Sequence, residues 1–416
     1  MEKAMSGSRD VEVCIVGAGP VGGTLACRLG AAGVRTAIID RAALPPMEHP
    51  DFDGRAYAIA AGPRRVLDQA GLWDRLPFRP GPILDIRVTD GKVGRPASRR
   101  FLHFDSRDVA TAADSHAPGG AFGWMVEARA LRVAINAGLR ALPAVSVFAP
   151  AAAGVERHGD GALVHVADGP TLACRLVVAA EGRASPLRAQ AGIPVTRLPY
   201  GQSGIVFAIA HERAHHGVAL EHFLPGGPFA LLPMAPNEVA EHVSAIVWTE
   251  REAMAARMMA LDEAAFTREA ARRLGEHLGA IRLLGRHWSY PLSAMIAHRY
   301  TATRLALAGD AAHGVHPIAG QGLNLGFRDI STLGDLVIAA LGRGEDPGAE
   351  DLLRRYQAQR RPDNMMMLAA TDALDRLFSN DLFPIRLARD LGLAAVHRIP
   401  PLKRLFMRQA MGALMA

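Results

Sequence analysis

The feature that most constrains this chain lies near its start. Val11–Val16 is a short apolar run, and Gly17-Ala18-Gly19-Pro20-Val21-Gly22 follows it directly. An apolar-periodic stretch then leads to Gly33, and Thr36-Ala37-Ile38-Ile39-Asp40 reads as a second strand ending on a carboxylate. Strand, glycine turn, helix, strand and acid form the fingerprint of a dinucleotide-binding unit, and the spacing of 23 from Gly17 to Asp40 fits it. Gly17 permits the tight turn, Gly19 lets a pyrophosphate approach the backbone, and Gly22 lets the helix lie close to the strand. The helix N-terminus offers N–H groups and the positive end of a dipole to phosphates. Asp40, with Pro20 opening the helix, completes the unit and is placed to bind ribose hydroxyls.

This motif by itself fits FAD and NAD equally. Two further strand-to-turn junctions narrow the choice. Arg304–Ala308 is apolar after its first residue and ends at Gly309-Asp310; the segment continues through His316-Pro317 to Gly320-Gln321-Gly322-Leu323-Asn324-Leu325-Gly326. The spacing predicts a helix from these glycines to about Leu341. Its N–H groups can face the pyrimidine edge of a flavin, where reduced and adduct forms carry negative charge. A carboxylate such as Asp310 at a strand end can bind ribityl hydroxyls. Leu176–Ala180 likewise ends at Glu181-Gly182-Arg183, and Ser185-Pro186 suits a helix start. His313 and His316 are three apart, but a polar loop packed on cofactor explains them better than a metal site.

Composition sets the outer limits. A chain of 416 residues, 50% hydrophobic and 21% charged, reads as globular with two or three packed units. The net charge is +6, yet lysine occurs only at Lys3, Lys92 and Lys403, and the arginines are scattered. Between Arg376 and Ala416 seven basic residues face two acidic ones, so most of the surplus sits in the tail. A local basic tail points to an anionic surface and away from nucleic acid. Cys14, Cys27 and Cys174 form no metal or disulfide pattern. No uninterrupted apolar run is long enough to span a bilayer and the first ten residues are polar, so a cytoplasmic location is expected.

Together these motifs resemble the class A FAD-dependent aromatic hydroxylases, the group of para-hydroxybenzoate hydroxylase. Glu181-Gly182 resembles their Asp-Gly motif, with a carboxylate one methylene longer, and Gly309-Asp310 resembles their second FAD motif. The likeness is closer to the ubiquinone-biosynthesis hydroxylases. It is carried by Asp53-Gly54-Arg55-Ala56, Phe223–Pro233, Tyr290-Pro291-Leu292 and His316–Gly326, and spans about 11–410. The resemblance implies FAD as cofactor and NAD(P)H as co-substrate. The implied reaction transfers oxygen from a flavin C4a-hydroperoxide to a polyprenylated phenol. It implies no catalytic side chain, because the flavin carries the chemistry. The cofactor-binding set it implies is Gly17, Gly19, Pro20, Gly22, Asp40, Arg41, Arg55, Arg129, Glu181, Gly182, Gly309, Asp310, Pro317, Gly320, Gln321, Gly322, Leu323 and Asn324. Arg55 and Gln321 are expected beside the isoalloxazine.

The expected fold is α/β. A Rossmann-like FAD domain of para-hydroxybenzoate hydroxylase type comprises 1–75, 120–190 and 300–365. A mixed-sheet substrate domain comprises 76–119 and 191–299, and C-terminal helices fill 366–416. Within the substrate domain, strands are expected at Gly204–Ala210, Ala219–Leu224 and Val243–Thr249, and a helix at Asp262–Leu278. A further helix is expected from Arg355 to Met367, its Met365–Met367 run either core, the favoured reading, or channel lining. The tail after Leu382 either touches the inner face of a membrane peripherally or packs on the FAD domain. Other ubiquinone-biosynthesis proteins or a second copy of the chain are the expected protein partners. The competing readings are a non-catalytic FAD-binding scaffold, a FAD-dependent reductase or halogenase, and a hydroxylase of another aromatic. The isolated Trp73, Trp124, Trp248 and Trp288 argue against a halogenase.

Overall fold

The computed structural model describes residues 11–44, 54–91, 93–94, 101–108, 120–316 and 320–378. Pro317, Asp53 and the tail beyond residue 378 lie outside the described residues.

The apolar run after Val11 becomes the strand Val13–Val16, buried at every position. It pairs in parallel with Thr36–Ile39 on one side and Leu176–Ala179 on the other. Val145–Phe148 and Leu305–Leu307 extend the sheet in parallel, and Thr301–Ala302 closes one edge antiparallel. Such strands are continuously apolar because both faces are covered. The helices Pro20–Ala31, Ala128–Ala141 and Gln321–Gly342 pack closely here: a Cβ on Gly23 would stand 2.4 Å from Ile135, and one on Gly326 2.6 Å from Val21. An antiparallel meander, Ala153–Arg157, Ala162–Val166 and Thr171–Cys174, is inserted before the Leu176–Ala179 strand.

A second, eight-stranded mixed sheet runs in the order His313–Gly314, Ile281–Ala297, Val195–His211, Val243–Arg251, Gly227–Met234, Val218–Leu224, Asp85–Asp90 and Phe101–Asp105. One face is covered by the helices Glu252–Met259 and Glu263–Leu274, whose Phe266 packs edge-on to Phe207 with ring centroids 5.1 Å apart. The other face is built of small side chains, among them Ala208, Ala219 and Ala245. It meets Ile83, Phe122 and Met125 near the three-stranded sheet of Ala56–Ala60, Gly123–Glu127 and Gly81–Ile83.

The expected strands are present, and the first is longer, Val195–His211. The helix expected to reach Leu278 stops at Leu274, because Gly275 turns the chain with φ of 77°. The last described helix, Glu350–Phe378, contains Pro362 and the methionine run. Met367 is buried against Val315 and Leu325, whereas Met365 and Met366 are exposed, so the core reading holds for one of the three. Among the described residues no helix is long and apolar enough to cross a membrane.

Candidate functional site

Three strand ends of the parallel sheet bring the predicted residues together. At the first, Gly17 has φ of 106°, and a Cβ there would lie 2.4 Å from the Ala180 carbonyl oxygen. The fingerprint turn and the turn before Glu181 therefore touch, and only glycine permits it. Gly19 is the opposite case: an added Cβ would meet nothing within 4 Å. The backbone of Gly19 borders open space at the N-terminus of Pro20–Ala31, a helix with no side-chain cap. That is the cradle a pyrophosphate needs.

Asp40 braces this turn. Its Oδ2 accepts the Ala18 N–H at 2.6 Å, and Oδ1 accepts that of Ala42 at 2.8 Å. Arg41 is exposed and near enough to Glu181 to lower its carboxyl. Arg132, which the sequence did not single out, donates from Nη1 to the Ala18 carbonyl at 2.5 Å.

At the second strand end, the longer side chain of Glu181 folds back onto its own turn. Oε2 accepts from Ser185 Oγ at 2.5 Å and from Leu187 N at 3.3 Å. Ser185 in turn caps the Pro186–Gln190 helix through Arg188 N. Burial pushes the Glu181 carboxyl above its ordinary value, and these donors offset part of the rise.

At the third, Gly309 packs against Val21 of the first helix, where a Cβ would lie 3.0 Å from Cγ2. Asp310 is half exposed and pairs with Arg183 at 3.1 Å. Arg183 also donates to the Ser293 carbonyl at 3.0 Å, joining both turns to the large sheet. Beneath Gly309 lies a buried polar network the sequence reading missed. Asp329 accepts from Gly309 N at 3.0 Å, Arg360 Nε at 3.0 Å and Asn364 Nδ2 at 3.1 Å, and lies 2.5 Å from His313 Nε2. Burial pushes its carboxyl up, but His313, Arg360 and Asn364 outweigh that and hold it at about 2.

Gly320 caps the Gln321–Gly342 helix without a side-chain bond. Gln321 is buried, Leu323 packs on the main core, and nothing lies within 4 Å of a Cβ on Gly322. Asn324 accepts the Ala60 N–H at 3.0 Å and donates to the Ala58 carbonyl at 2.9 Å, tying this helix start to the strand after Arg55. Arg55 itself is exposed and lies over the Trp288 ring, 4.9 Å from its centroid. Arg129 is buried, donates to Glu127 and Glu238 at 2.7 Å each, and lies over Phe78.

An open backbone at Gly19, an uncapped helix start and facing glycine-acid turns fit an extended dinucleotide. The comparisons with known proteins agree. The FAD binding domain family matches residues 10–371, and the chain belongs to it. Within that family its relatives include ubiquinone-biosynthesis hydroxylases, as the resemblance implied. It is 49% identical to the ubiquinone hydroxylase UbiL of Rhodospirillum rubrum, over 99% of this chain and 92% of that protein. It is 32% identical to the 3-demethoxyubiquinol 3-hydroxylase of Escherichia coli, over 97% of this chain and 99% of that one. Among solved structures, p-nitrophenol 4-monooxygenase PnpA of Pseudomonas putida superposes with a TM-score of 0.76 at 20% identity, covering 98% and 99% of the two chains. That likeness bears on the fold, and the α/β expectation is borne out.

Proposed function

We propose that this protein hydroxylates a polyprenylated phenol ring in ubiquinone biosynthesis, using FAD, NAD(P)H and O₂. The observation that carries the reading is the convergence of three turns, at Gly17–Gly22, Glu181–Arg183 and Gly309–Asp310, in a chain 49% identical to a ubiquinone hydroxylase. FAD, when bound, supplies hydride acceptance from NAD(P)H and oxygen transfer to the ring.

The chain's own residues bind and orient. Gly19 and the first turn of Pro20–Ala31 offer backbone N–H groups to the pyrophosphate, with Asp40 and Arg132 holding the turn in shape. Asp310, paired with Arg183, would accept from ribityl hydroxyls. The N-terminus of Gln321–Gly342 would offer its positive dipole end to the flavin, which would favour electron-rich states. Arg41, Arg55, Arg129, Gln321 and Pro317 complete the proposed cofactor set, Arg129 acting through its bonds to Glu127 and Glu238.

The proposed division follows the sheets. A discontinuous cofactor domain carries the turns, and the eight-stranded sheet presents its small-residue face to the substrate. A polyprenyl substrate partitions into bilayers, which supports a peripheral position on the inner membrane face, with the basic tail as contact. Protein partners are proposed to be other enzymes of the pathway or a second copy.

The test is oxygen-dependent NAD(P)H turnover with a quinol-precursor phenol, together with chromatography of the cofactor released on denaturation. FAD and a hydroxylated ring are the expected products. Release of FMN, or FAD with no ring oxygenation, contradicts the reading.

A further inference from the structure

The small-residue face of the eight-stranded sheet carries a carboxylate that the functions above leave unused. Alternation along Val218–Leu224 puts Glu221 on that face with Ala219, while Leu220 and Leu224 turn to the covering helices. Sheet register fixes what surrounds it. Glu221 stands opposite Val88 on one neighbouring strand and Ala230 on the other, and the row continues through Val247 and Val206 to Trp288. Trp288 is the ring beneath Arg55. One row therefore runs from a carboxylate, across small and β-branched side chains, to the segment proposed to lie by the flavin. Four strand spacings make it about 19 Å long, enough for an aromatic ring and the edge of a cofactor.

The Glu221 side chain makes no hydrogen bond or ion pair among the described residues, and burial alone pushes its carboxyl up to about 7. Yet the side chain is partly exposed. A group that protein surrounds and solvent still reaches lies in a recess. Val88 and Ala230 face it from the adjacent strands, Leu102 and Val247 from the next, and none is ionisable. By register Asp90, opposite Phe223, is the charged residue that shares this face, one pair along from Val88, whereas Arg87 alternates to the other face, where His222 bonds Thr89 at 2.7 Å and Glu250 pairs with Arg273 of a covering helix.

We propose that Glu221 is a catalytic base of this site, holding the hydroxyl of the phenolic ring and taking its proton as the ring is oxygenated. The proposal rests on the hydroxylase reading. A ring seated over Ala230 and Val247 points its hydroxyl at Glu221 and its far edge toward Trp288 and Arg55. The phenolic O–H bond breaks and leaves its electron pair on oxygen, while a new O–H bond forms on the carboxylate. No electrons change partner, and the ring becomes the better nucleophile that oxygen transfer requires. The carboxyl gives its proton to water when the product leaves. Burial makes Glu221 a stronger base than a carboxylate in water and still partly ionised at neutral pH.

The experiment uses the full-length, FAD-loaded protein with 2-prenylphenol as probe. The flavin is reduced anaerobically with NADH or NADPH and then mixed with O₂, so that hydroxylation is read in a single turnover. In the wild type the hydroxylation rate rises with pH through an apparent value near 7. Glu221→Gln is expected to retain FAD and its rate of flavin reduction, to hydroxylate roughly 100-fold more slowly or worse, and to lose the pH dependence. A ring-fluorinated 2-prenylphenol, ionised before it binds, restores the variant to near the wild-type rate with that same probe.

A variant with the wild-type rate and profile overturns the proposal, and so does a slow variant that the ionised phenol does not rescue. If Glu221→Gln does not fold, the wild type decides: no acidic limb between about pH 6 and 8 overturns it. FAD-loaded, reducible wild type that leaves 2-prenylphenol unhydroxylated also counts against Glu221. Wild type that holds no FAD, seen before phenol is added, overturns the hydroxylase reading itself.

Discussion

The carboxylate of Asp329 accepts the backbone N–H of Gly309 at 3.0 Å from a side chain with no exposed surface. A residue inside the Gln321–Gly342 helix thereby fixes the turn that presents Asp310. His313, Arg360 and Asn364 hold Asp329 in place, so the turn's shape depends on two helices and the short strand at His313.

Asp329→Asn is expected to destabilise the fold by about 3–5 kcal/mol at neutral pH, because it removes the carboxylate paired with the buried Arg360. The pH dependence has a definite sign. The Asp329 carboxyl sits at about 2 in the fold, below the ~3.9 of an unfolded Asp. Its contribution is present above about pH 4 and lost as pH falls toward 2. Urea unfolding of wild type and variant between about pH 3 and 7 checks both. Equal midpoints across that range contradict the assignment.

Gly19 and Gly17 separate cofactor binding from folding. A Cβ at Gly19 meets nothing within 4 Å, and its φ of −63° suits any residue, so Gly19→Ala should keep the FAD-free stability within about 0.5 kcal/mol. FAD affinity should nevertheless fall, since the methyl enters the pyrophosphate cradle. Gly17→Ala should lower the melting temperature of the FAD-free protein itself, given the 2.4 Å approach to Ala180. Calorimetry and FAD titration of both variants give the answer, and equal FAD affinity of Gly19→Ala and wild type would place the phosphates elsewhere.

Asp310→Ala should weaken FAD retention by about 1.5–3 kcal/mol, the range for hydrogen bonds to a charged group. Removing Asp310 also frees Arg183, so Arg183→Ala serves as the control that keeps the carboxylate. Unchanged FAD affinity in a folded Asp310→Ala protein removes Asp310 from the site.

The tail is tested by deletion of residues 401–416, which carry Lys403, Arg404 and Arg408. Each basic residue near anionic lipid contributes about 1 kcal/mol. The shortened protein should retain FAD and float less with anionic liposomes, with little change on neutral ones. Flotation equal to the full chain contradicts the proposed contact.

What the sequence made legible was local. The Gly17–Gly22 fingerprint, the strand at Thr36–Ile39 and the helix from Gln321 follow from residues adjacent in the chain. Asp329 was not legible. It sits at an unremarked position of a helix, and its partners, from His313 to Asn364, are defined only by the packing of two helices on a strand end. The Ala128–Ala141 helix gives the same lesson at finer scale. The family likeness pointed to Arg129, and Arg132, three residues further along the same helix, reaches Ala18 without any signal in the sequence. Glu221 carried no signal at all, since its isolation appears only once Val88 and Ala230 are known to flank it.

The eight-stranded sheet draws strands from either side of the Gly123–Phe148 segment and takes its edge strand, His313–Gly314, from beyond the Gly309–Asp310 turn. No single cut in the polypeptide frees one layer from the other. Such a protein cannot be recombined by exchanging halves, and each layer must change in the company of the other. Full-length correspondence with the Rhodospirillum rubrum and Escherichia coli relatives is the evolutionary trace to expect: a lineage that varies by substitution along its whole length and leaves its architecture undivided.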